Sequence, residues 1–248
     1  MKISLITVVK NDKENISKTI KSVLNQSYYN IEYIIIDGCS TDGTFEEIKK
    51  LIKKKNIKLF KKKDNSMYEA INYGINISSG KIIGLLHSGD TFYNSLVLSK
   101  IIKYFKKYNL ISGNIAYKNN LNKVIRIWNF KLNKLNIYSS YKIPHTSLFL
   151  KKSLFSSTGL YDLSYKISSD TEFLLRISSN PAIKYKYINR YIINMSYNGL
   201  STSNKTIFIK IYEDLKIYFK YFNLFFLYFY LKKIVFKIQN YLNWKFLK

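Results

Sequence analysis

One aspartate, Asp90, follows a short apolar run over residues 82–86 and three polar or small residues. Such a run is typical of a buried strand, and strands of open α/β sheets deliver ligand-binding groups at their carboxyl ends. A carboxylate in that place can bind a hard divalent cation or a sugar hydroxyl. The alternative is that Asp90 only ends the strand or caps the helix predicted from Asn94 onward.

Other acidic residues stand at comparable positions. Asp37 ends a second apolar run, and Asp64 comes just before a predicted helix. Asp170 begins a further helix, with Glu172 two residues later on a different side of it. A carboxylate at such a site can act as a general base, although each of these aspartates can also serve as a helix cap. For Asp42, in the turn after Asp37, capping is the favoured interpretation.

Apolar runs alternate with helical periodicity through the first ninety residues. Strands are predicted at residues 3–9, 31–36, 57–60 and 82–86, with an amphipathic helix between each pair. This β-α-β-α-β-α-β order predicts an α/β fold with a Rossmann-like, doubly wound, mostly parallel sheet. Further along, we expect a helix at 94–107, strands at 110–117, 124–128 and 183–193, and a helix starting at Ser168 to Asp170.

Six segments in this order make the sequence resemble family 2 glycosyltransferases of the bacterial cell-envelope polysaccharide type, which have the GT-A fold. The resemblance covers roughly residues 3–201. Each segment is unspecific alone, but their order and spacing together are specific. They are residues 6–11, 37–44, 64–74, 84–90, 144–145 and 169–170.

The resemblance implies an inverting glycosyltransferase in surface polysaccharide biosynthesis, such as that of lipopolysaccharide or capsule. Its donor would be a nucleotide-diphosphate sugar, UDP being the favoured nucleotide, carrying a hexose or an N-acetylhexosamine. Its acceptor would be a saccharide or a lipid-linked saccharide.

The resemblance also implies roles for single residues on the donor side. Val9, Asn11, Asp37, Asp64 and Asp90 are expected to bind the donor nucleotide. Asp90 matches the last acid of the Asp-x-Asp motif with which the family holds Mg²⁺ or Mn²⁺. The residue two positions earlier is serine and not the motif's first aspartate, so one carboxylate would have to bind the metal together with diphosphate oxygens and water.

On the acceptor side, Asp170 matches the family's catalytic base, with Glu172 as the alternative. His145 and Arg176 are expected to face the acceptor or the diphosphate, although Arg176 could instead pair with Asp170 or Glu172. Residues 198–201 resemble the Gly-Gly-x-Ser loop of relatives, which suggests a lid.

The composition limits the other function classes. The chain has 41 basic and 15 acidic residues and a formal net charge of +26. Its lysines are spread over every predicted helix and no nucleic-acid-binding motif occurs, which argues against a nucleic-acid partner and a purely basic binding module. A nucleotidyltransferase is disfavoured because no glycine-rich phosphate loop follows the first strand. Cys39 is the only cysteine, which fits a reducing compartment.

The last forty residues differ in character from the rest. We expect residues 1–205 to form the GT-A domain and residues 206–248 a helical extension. Aromatic clusters flanked by lysines indicate helices that lie in a membrane interface, here the inner face of the bacterial cytoplasmic membrane. The alternative is packing on the domain or on a second subunit of a homodimer.

Overall fold

The structure, a computed structural model, describes residues 1–52, 57–119, 121, 123–196 and 206–246, without the side chains of residues 243–246. The lid suggested for residues 198–201 lies outside these residues. The strands are β1 (Ile3–Val9), β2 (Ile31–Asp37), β3 (Ile57–Lys61), β4 (Ile82–Leu85), β5 (Thr91–Phe92), β6 (Leu110–Lys118), β7 (Val124–Trp128), β8 (Phe149–Lys151) and β9 (Tyr185–Ser196). The helices are α1 (Lys13–Leu24), α2 (Thr44–Ile52), α3 (Met67–Ile77), α4 (Val97–Ile101), α5 (Ser153–Thr158), α6 (Ser169–Ser178), α7 (Ile207–Phe222) and α8 (Phe226–Phe246).

The described strands form one sheet in the order β3-β2-β1-β4-β8-β6-β9-β5, with β7 beside β6. The first four strands of the chain pair in parallel, which confirms the doubly wound half. Strand β8 runs antiparallel between β4 and β6, and β9 returns parallel to β6. Every residue of β1 is buried, as expected for a strand covered by helices on both faces.

Two predicted elements differ from the observed ones. The helix expected at 94–107 is only α4, followed by a 3₁₀ turn over Ile102–Lys106 in which Phe105 is buried. The strand expected at 183–193 begins at Tyr185 and continues to Ser196. That longer end brings the Ser196 backbone to Asp90, so the extension contributes to the site.

Gly84 in β4 allows the sheet to continue into its antiparallel half. A Cβ at this position would lie 2.5 Å from Cε1 of Phe149 on β8, far inside van der Waals contact. Because β4 and β8 pair directly, a side chain here would push the two strands apart.

The helices α7 and α8 form a hairpin whose inner face packs on the rest of the fold. Ile217, Tyr218 and Phe222 are buried in a cluster with Tyr165 and Leu175. On α8, Phe236 packs against Trp128 and Tyr141. Much of the outer face of this hairpin is exposed and apolar.

Glu32 holds the amino-terminal edge of the sheet together, opposite the edge where Asp37 and Asp90 lie. Its buried carboxylate accepts hydrogen bonds from Ser4 Oγ at 2.5 Å, Lys58 Nζ at 2.7 Å, and the Ser79 N–H and Oγ at 2.7 and 2.8 Å. Burial alone would raise the pKa of Glu32, but these hydrogen bonds lower it to about 2. The carboxylate therefore joins three strands and the turn before β4.

Replacing Glu32 by Gln should lower the free energy of unfolding at pH 7 by about 2 kcal/mol, because an amide cannot accept all four hydrogen bonds. The pKa of Glu32 is lowered in the folded state, so the wild-type advantage is present above its ordinary value of 4.5 and is lost as the pH falls toward 2. Urea unfolding at pH 7 and pH 3 measures both effects. An equal difference at the two pH values would contradict this account.

Candidate active site

Asp170 and His145, which the sequence predicts on the acceptor side, are in direct contact. Asp170 lies in the first turn of α6, and His145 begins a 3₁₀ turn just before β8. The His145 Nδ1 lies 2.8 Å from the Asp170 Oδ2. The other carboxylate oxygen, Oδ1, accepts the N–H of Thr171 at 2.8 Å. The structure thus brings together two residues that the sequence predicts at the acceptor side.

The charges around Asp170 keep it ionised. Burial would raise the pKa of this carboxyl, but the charge and hydrogen bond of His145, with the charges of Lys210 and Lys233, hold it well below its usual range. Asp170 is therefore a carboxylate at every physiological pH and can accept a proton as a bond forms next to it.

Glu213, on α7, fixes the loop that carries Asp170. Its buried carboxylate accepts three consecutive backbone N–H groups, those of Lys166 at 2.7 Å, Ile167 at 2.9 Å and Ser168 at 2.9 Å. Charge-assisted hydrogen bonds of this kind are among the stronger ones in proteins. The C-terminal hairpin therefore sets the backbone directly before the proposed base.

Helix α3 supports the same loop from the other side. The Tyr68 hydroxyl donates to the Ile167 carbonyl at 2.7 Å and lies 3.4 Å from the Asp170 Oδ1. The Asn72 side chain makes two hydrogen bonds with the backbone of Tyr161, at 2.8 and 3.0 Å. Burial and the Asp170 charge raise the pKa of Tyr68 well above its usual value, so its hydroxyl stays a donor.

Asp90 lies at the carboxyl end of the β4 segment, on the other side of His145. It is buried, and its Oδ1 accepts the Ser196 N–H at 2.9 Å. Burial raises the pKa of Asp90 to about 7, and Asp12 adds to the rise, whereas the Ser196 N–H and His145 oppose it. Among the described residues, no Lys or Arg nitrogen lies within 4 Å of this carboxyl group.

Ser88, at the first position of the degenerate acidic motif, contacts a carboxylate from elsewhere in the chain. Its hydroxyl donates to the Asp12 Oδ2 at 2.6 Å. The other Asp12 oxygen accepts from the Asn15 side chain at 2.7 Å. A second acid is thus present near Asp90 although the motif itself lacks it.

These residues fit a divalent cation. A buried carboxylate with no positive partner among the described residues is suited to a cation, and carboxylate oxygens suit Mg²⁺ and Mn²⁺. The described residues contain no cluster of three or more His, Cys, Asp or Glu side chains arranged for a metal. Asp90 would therefore supply one ligand, and the remainder would come from diphosphate oxygens and water.

The donor-side residues of β1 and β2 lie together. The Val9 carbonyl accepts the Gly38 N–H at 2.8 Å, and the Asn11 Oδ1 accepts the Thr41 N–H at 2.9 Å. Asn11 adopts φ +53°, which lets its side chain fold over this turn. Asp37 is fully buried, and its Oδ1 accepts the Ser40 N–H at 2.9 Å.

Two buried oxygens on this side have no hydrogen-bond partner among the described residues, the Oδ2 atoms of Asp37 and Asp64. The Asp64 Oδ1 binds Lys62 Nζ at 2.6 Å, and the Lys62 N–H donates to the Asp37 carbonyl at 2.9 Å. Buried acceptors normally have partners, so these oxygens suit N–H or O–H donors of a ligand. By contrast, Asp42 caps α2 through the Thr44 N–H at 3.0 Å, as expected.

Arg176 does not reach Asp170. Its guanidinium makes a bidentate pair with Glu172, at 2.9 to 3.1 Å, and donates to the carbonyls of Thr158 and Leu160. Of the alternatives that the sequence left open for Arg176, the pair with Glu172 is the one observed, and its other donors join α6 to the end of α5. Glu172 is buried and also accepts from the Tyr221 hydroxyl at 2.8 Å, so it is not a free base.

The sequence analysis did not identify several side chains at this site. His87 has both ring nitrogens buried and its ring centre 5.9 Å from that of His145, and desolvation lowers its pKa to about 4, so it is neutral. Tyr68, Asp12 and Glu213 were also missed. One feature of the sequence could have indicated Glu213. An acidic pair at residues 213–214 is unusual in the basic, aromatic C-terminal segment.

Replacing Glu213 by Gln should speed amide hydrogen exchange at Lys166, Ile167 and Ser168 by about tenfold or more, because the amide group loses charge and one acceptor oxygen. Residue-resolved exchange measured by NMR checks this, with Glu46→Gln, an exposed acid on α2, as the matched control. Unchanged exchange at all three amides would refute the proposed role of Glu213.

Comparisons with known proteins show the family of this chain. The family model for glycosyl transferase family 2 matches residues 4–157. An uncharacterised glycosyltransferase of Mycobacterium tuberculosis is 30% identical over 180 residues, which cover 70% of this chain and 68% of the relative.

Solved structures share the fold. Staphylococcus aureus TarS residues 1–349 in complex with UDP-GlcNAc matches with a TM-score of 0.70 at 15% identity, covering 90% of this chain and 68% of that one. The mannosyltransferase PcManGT of Pyrobaculum calidifontis, in complex with GDP-Man and Mn²⁺, matches with a TM-score of 0.66 at 14% identity, covering 88% and 63%. The chain thus spans about two thirds of the length of these structures. It is a glycosyltransferase that belongs to family 2 and has the GT-A fold.

Proposed function

We propose that this glycosyltransferase moves a hexose or an N-acetylhexosamine, with inversion, from a nucleotide-diphosphate donor to a saccharide or lipid-linked acceptor in surface polysaccharide biosynthesis. The observation that carries the proposal is the placement of two acids near His145, the buried Asp90 and the partly buried Asp170. Asp170 contacts this histidine directly, and Asp90 lies within its electrostatic influence.

On the donor side, Asp37 and Asp64 would bind the nucleoside. Their unpartnered Oδ2 atoms can accept hydrogen bonds from ribose hydroxyls or from a base N–H. We favour UDP because the TarS structure holds UDP-GlcNAc, while PcManGT holds a guanine nucleotide. Asp90 would hold a divalent cation, which would supply positive charge to offset the negative charge that develops on the leaving diphosphate.

Transfer follows from the position of Asp170. As the acceptor hydroxyl oxygen bonds to the anomeric carbon, the bond from that carbon to the diphosphate oxygen breaks, and the hydroxyl proton passes to Asp170. His145 orients the carboxylate and keeps it ionised until that moment. One displacement by one base gives inversion, and Glu172 is not free to act as a second nucleophile or base.

Replacing Asp170 by Asn should lower transfer by about 10²- to 10⁴-fold because the proton acceptor is lost. Thermal stabilisation by UDP with Mn²⁺ should persist, since donor binding does not use Asp170.

In Asp90→Ala, the metal-dependent part of the thermal stabilisation by UDP should vanish. A sugar-nucleotide turnover assay and a thermal shift panel over UDP, GDP and metal provide these measurements.

Glu46→Gln, which changes an exposed acid, is the control and should behave as the wild type. Near wild-type turnover in Asp170→Asn would remove Asp170 as the base. Absence of stabilisation by any nucleotide would instead argue against the donor site.

We also propose that the chain is peripheral on the inner face of the cytoplasmic membrane. On α8, Leu227, Leu231, Val235, Ile238 and Leu242 are exposed and recur at intervals of three or four residues, so they share one face, here called the outer stripe.

Basic and aromatic residues surround the outer stripe. Lys220 and Lys232 are exposed, and so are Phe219, Phe225 and Tyr228. Apolar, aromatic and basic residues together favour an anionic lipid surface over a second copy of this chain, since two copies with net charge +26 repel each other. None of the helices in the described part of the chain has the length and apolarity to cross a bilayer.

Replacing both Leu231 and Val235 by Glu should abolish co-sedimentation with vesicles containing phosphatidylglycerol, because charge would enter the apolar interface. Wild-type protein should bind these vesicles and not pure phosphatidylcholine vesicles. Leu163→Glu, at an exposed apolar residue before α6, is the matched control. A wild-type dimer in light scattering that the double variant dissociates, without vesicle binding, would assign the stripe to a second subunit.

A further inference from the structure

A cavity of about 270 Å³ lies at the edge of the sheet, where the end of β5, helix α4 and the middle of β9 meet. Both strands that form its walls also reach the proposed metal site. Tyr93 comes directly after β5 and three residues after Asp90, so the two Cα atoms are at most about 11 Å apart. On the opposite wall, β9 continues from Tyr191 to Ser196, whose N–H binds Asp90. The cavity is therefore a neighbour of the proposed transfer site.

Two tyrosines form an aromatic platform in this cavity. The rings of Tyr93 and Tyr191 are stacked, with their centres 5.2 Å apart and an angle of 28° between their planes. Both residues line the cavity, and Tyr93 is 43% exposed. The C–H groups on one face of a sugar ring form a flat apolar surface that packs on aromatic rings of this kind. The platform therefore suits a sugar ring.

Two asparagine side chains of the cavity wall have their carbonyl oxygens bound and their NH₂ groups free. The Asn94 Oδ1 accepts the Leu96 N–H at 3.0 Å. The Asn189 Oδ1 accepts the Tyr187 hydroxyl at 3.1 Å and the Asn114 Nδ2 at 3.3 Å. Neither Nδ2 makes a hydrogen bond to a residue that the structure describes. Because each amide is fixed through its oxygen, its nitrogen is preorganised to donate to a ligand oxygen.

A bulge in β9 directs two of these side chains to the cavity. The pairing of β9 with β6 omits Asn189 and Arg190, which both line the cavity wall. Gly113 on β6 makes room for the bulge, since a Cβ there would lie 2.8 Å from the Arg190 carbonyl oxygen. Bulges change the direction of side chains and often lie next to functional sites.

The charge of the cavity is positive. Lys100 on α4 and Arg190 line it, and none of its described lining residues is acidic. Within the described part of the chain, neither cation lies within 4 Å of a carboxylate. The wall thus offers N–H donors and positive charge, and its ligand has to supply acceptor oxygens and negative charge. A guanidinium group matches the two oxygens of a carboxylate or phosphate especially well.

We propose that this cavity binds an acidic sugar unit of the acceptor chain. The stacked tyrosines bind the sugar ring, the two amides its hydroxyl groups, and Arg190 with Lys100 its carboxylate or phosphate. This inference rests on the proposed function, in which the acceptor is a saccharide. The acceptor is then held at two places, by its reacting hydroxyl at Asp170 and by a second sugar unit in the cavity.

The first test measures binding without nucleotide or metal, so that it does not depend on transfer. Its probes are a hyaluronan tetrasaccharide, which contains glucuronate, the same tetrasaccharide with its carboxylates reduced to alcohols, and a phosphorylated maltotetraose. In NMR titrations an acidic probe should shift the side-chain NH₂ signals of Asn94 and Asn189, and the reduced probe should bind about tenfold more weakly. The acidic probe with the higher affinity identifies the acid group as carboxylate or phosphate.

Two variants and two matched controls assign the binding to the cavity. Tyr93→Ala and Arg190→Met should each weaken the affinity for the acidic probe by about tenfold or more. Tyr29→Ala and Lys184→Met change exposed residues that do not line the cavity, and they should keep the wild-type affinity. Absence of binding by every probe, or wild-type affinity in both cavity variants, would overturn the proposal.

The second test connects the cavity to transfer. With an acceptor offered in acidic and carboxyl-reduced forms, the wild type should have an about tenfold lower KM for the acidic form, and Arg190→Met should remove most of that difference. The kcat and the KM for the donor should not change. An equal preference for the acidic form in the wild type and Arg190→Met would overturn the role in acceptor binding. Absence of transfer in every protein, with probe binding intact, would count against the proposed function instead.

Discussion

The rest of the site depends on three hydrogen bonds that the Glu213 carboxylate accepts from backbone N–H groups. The residues before α6 are outside regular structure, so their amide groups need partners from elsewhere. Glu213 provides these partners from α7, and Tyr68 binds the Ile167 carbonyl from α3. Asp170 is thus held between the parallel half of the sheet and the C-terminal hairpin, and the hairpin belongs to the active site.

The replacement of an aspartate by Ser88 in the acidic motif has a structural counterpart. A serine cannot bind a metal as a carboxylate does, but Ser88 contacts the Asp12 carboxylate at the start of α1. This keeps a second negative charge near Asp90, as its effect on the Asp90 pKa shows. The acid near Asp90 thus comes from α1's amino-terminal end and not from the motif itself.

Local patterns in the sequence predicted the parallel half of the fold and its acids. Strands β1 and β7 have the expected bounds. For β1 the reason is that a strand buried on both faces reads as a continuous apolar run. Parallel topology then brings Asp37 and Asp90 to one edge. The contacts of Glu213 and Lys233 could not be predicted, because periodicity shows which face of a helix is buried but not what it packs against. The Glu213 contacts, for example, span 45 to 47 residues. The Arg176–Glu172 pair, four residues apart on one helix, was among the predicted alternatives.

The family model ends at residue 157, whereas the proposed base and Glu213 both come later in the chain. The matched residues thus contain the proposed donor residues and His145, and the proposed base lies beyond them. Glu213 and Lys233 connect α6, α7 and α8. A change in acceptor preference would therefore involve these three helices together. Recombination between relatives near residue 157 would pass on the base together with the helices that position it, and would leave donor recognition intact.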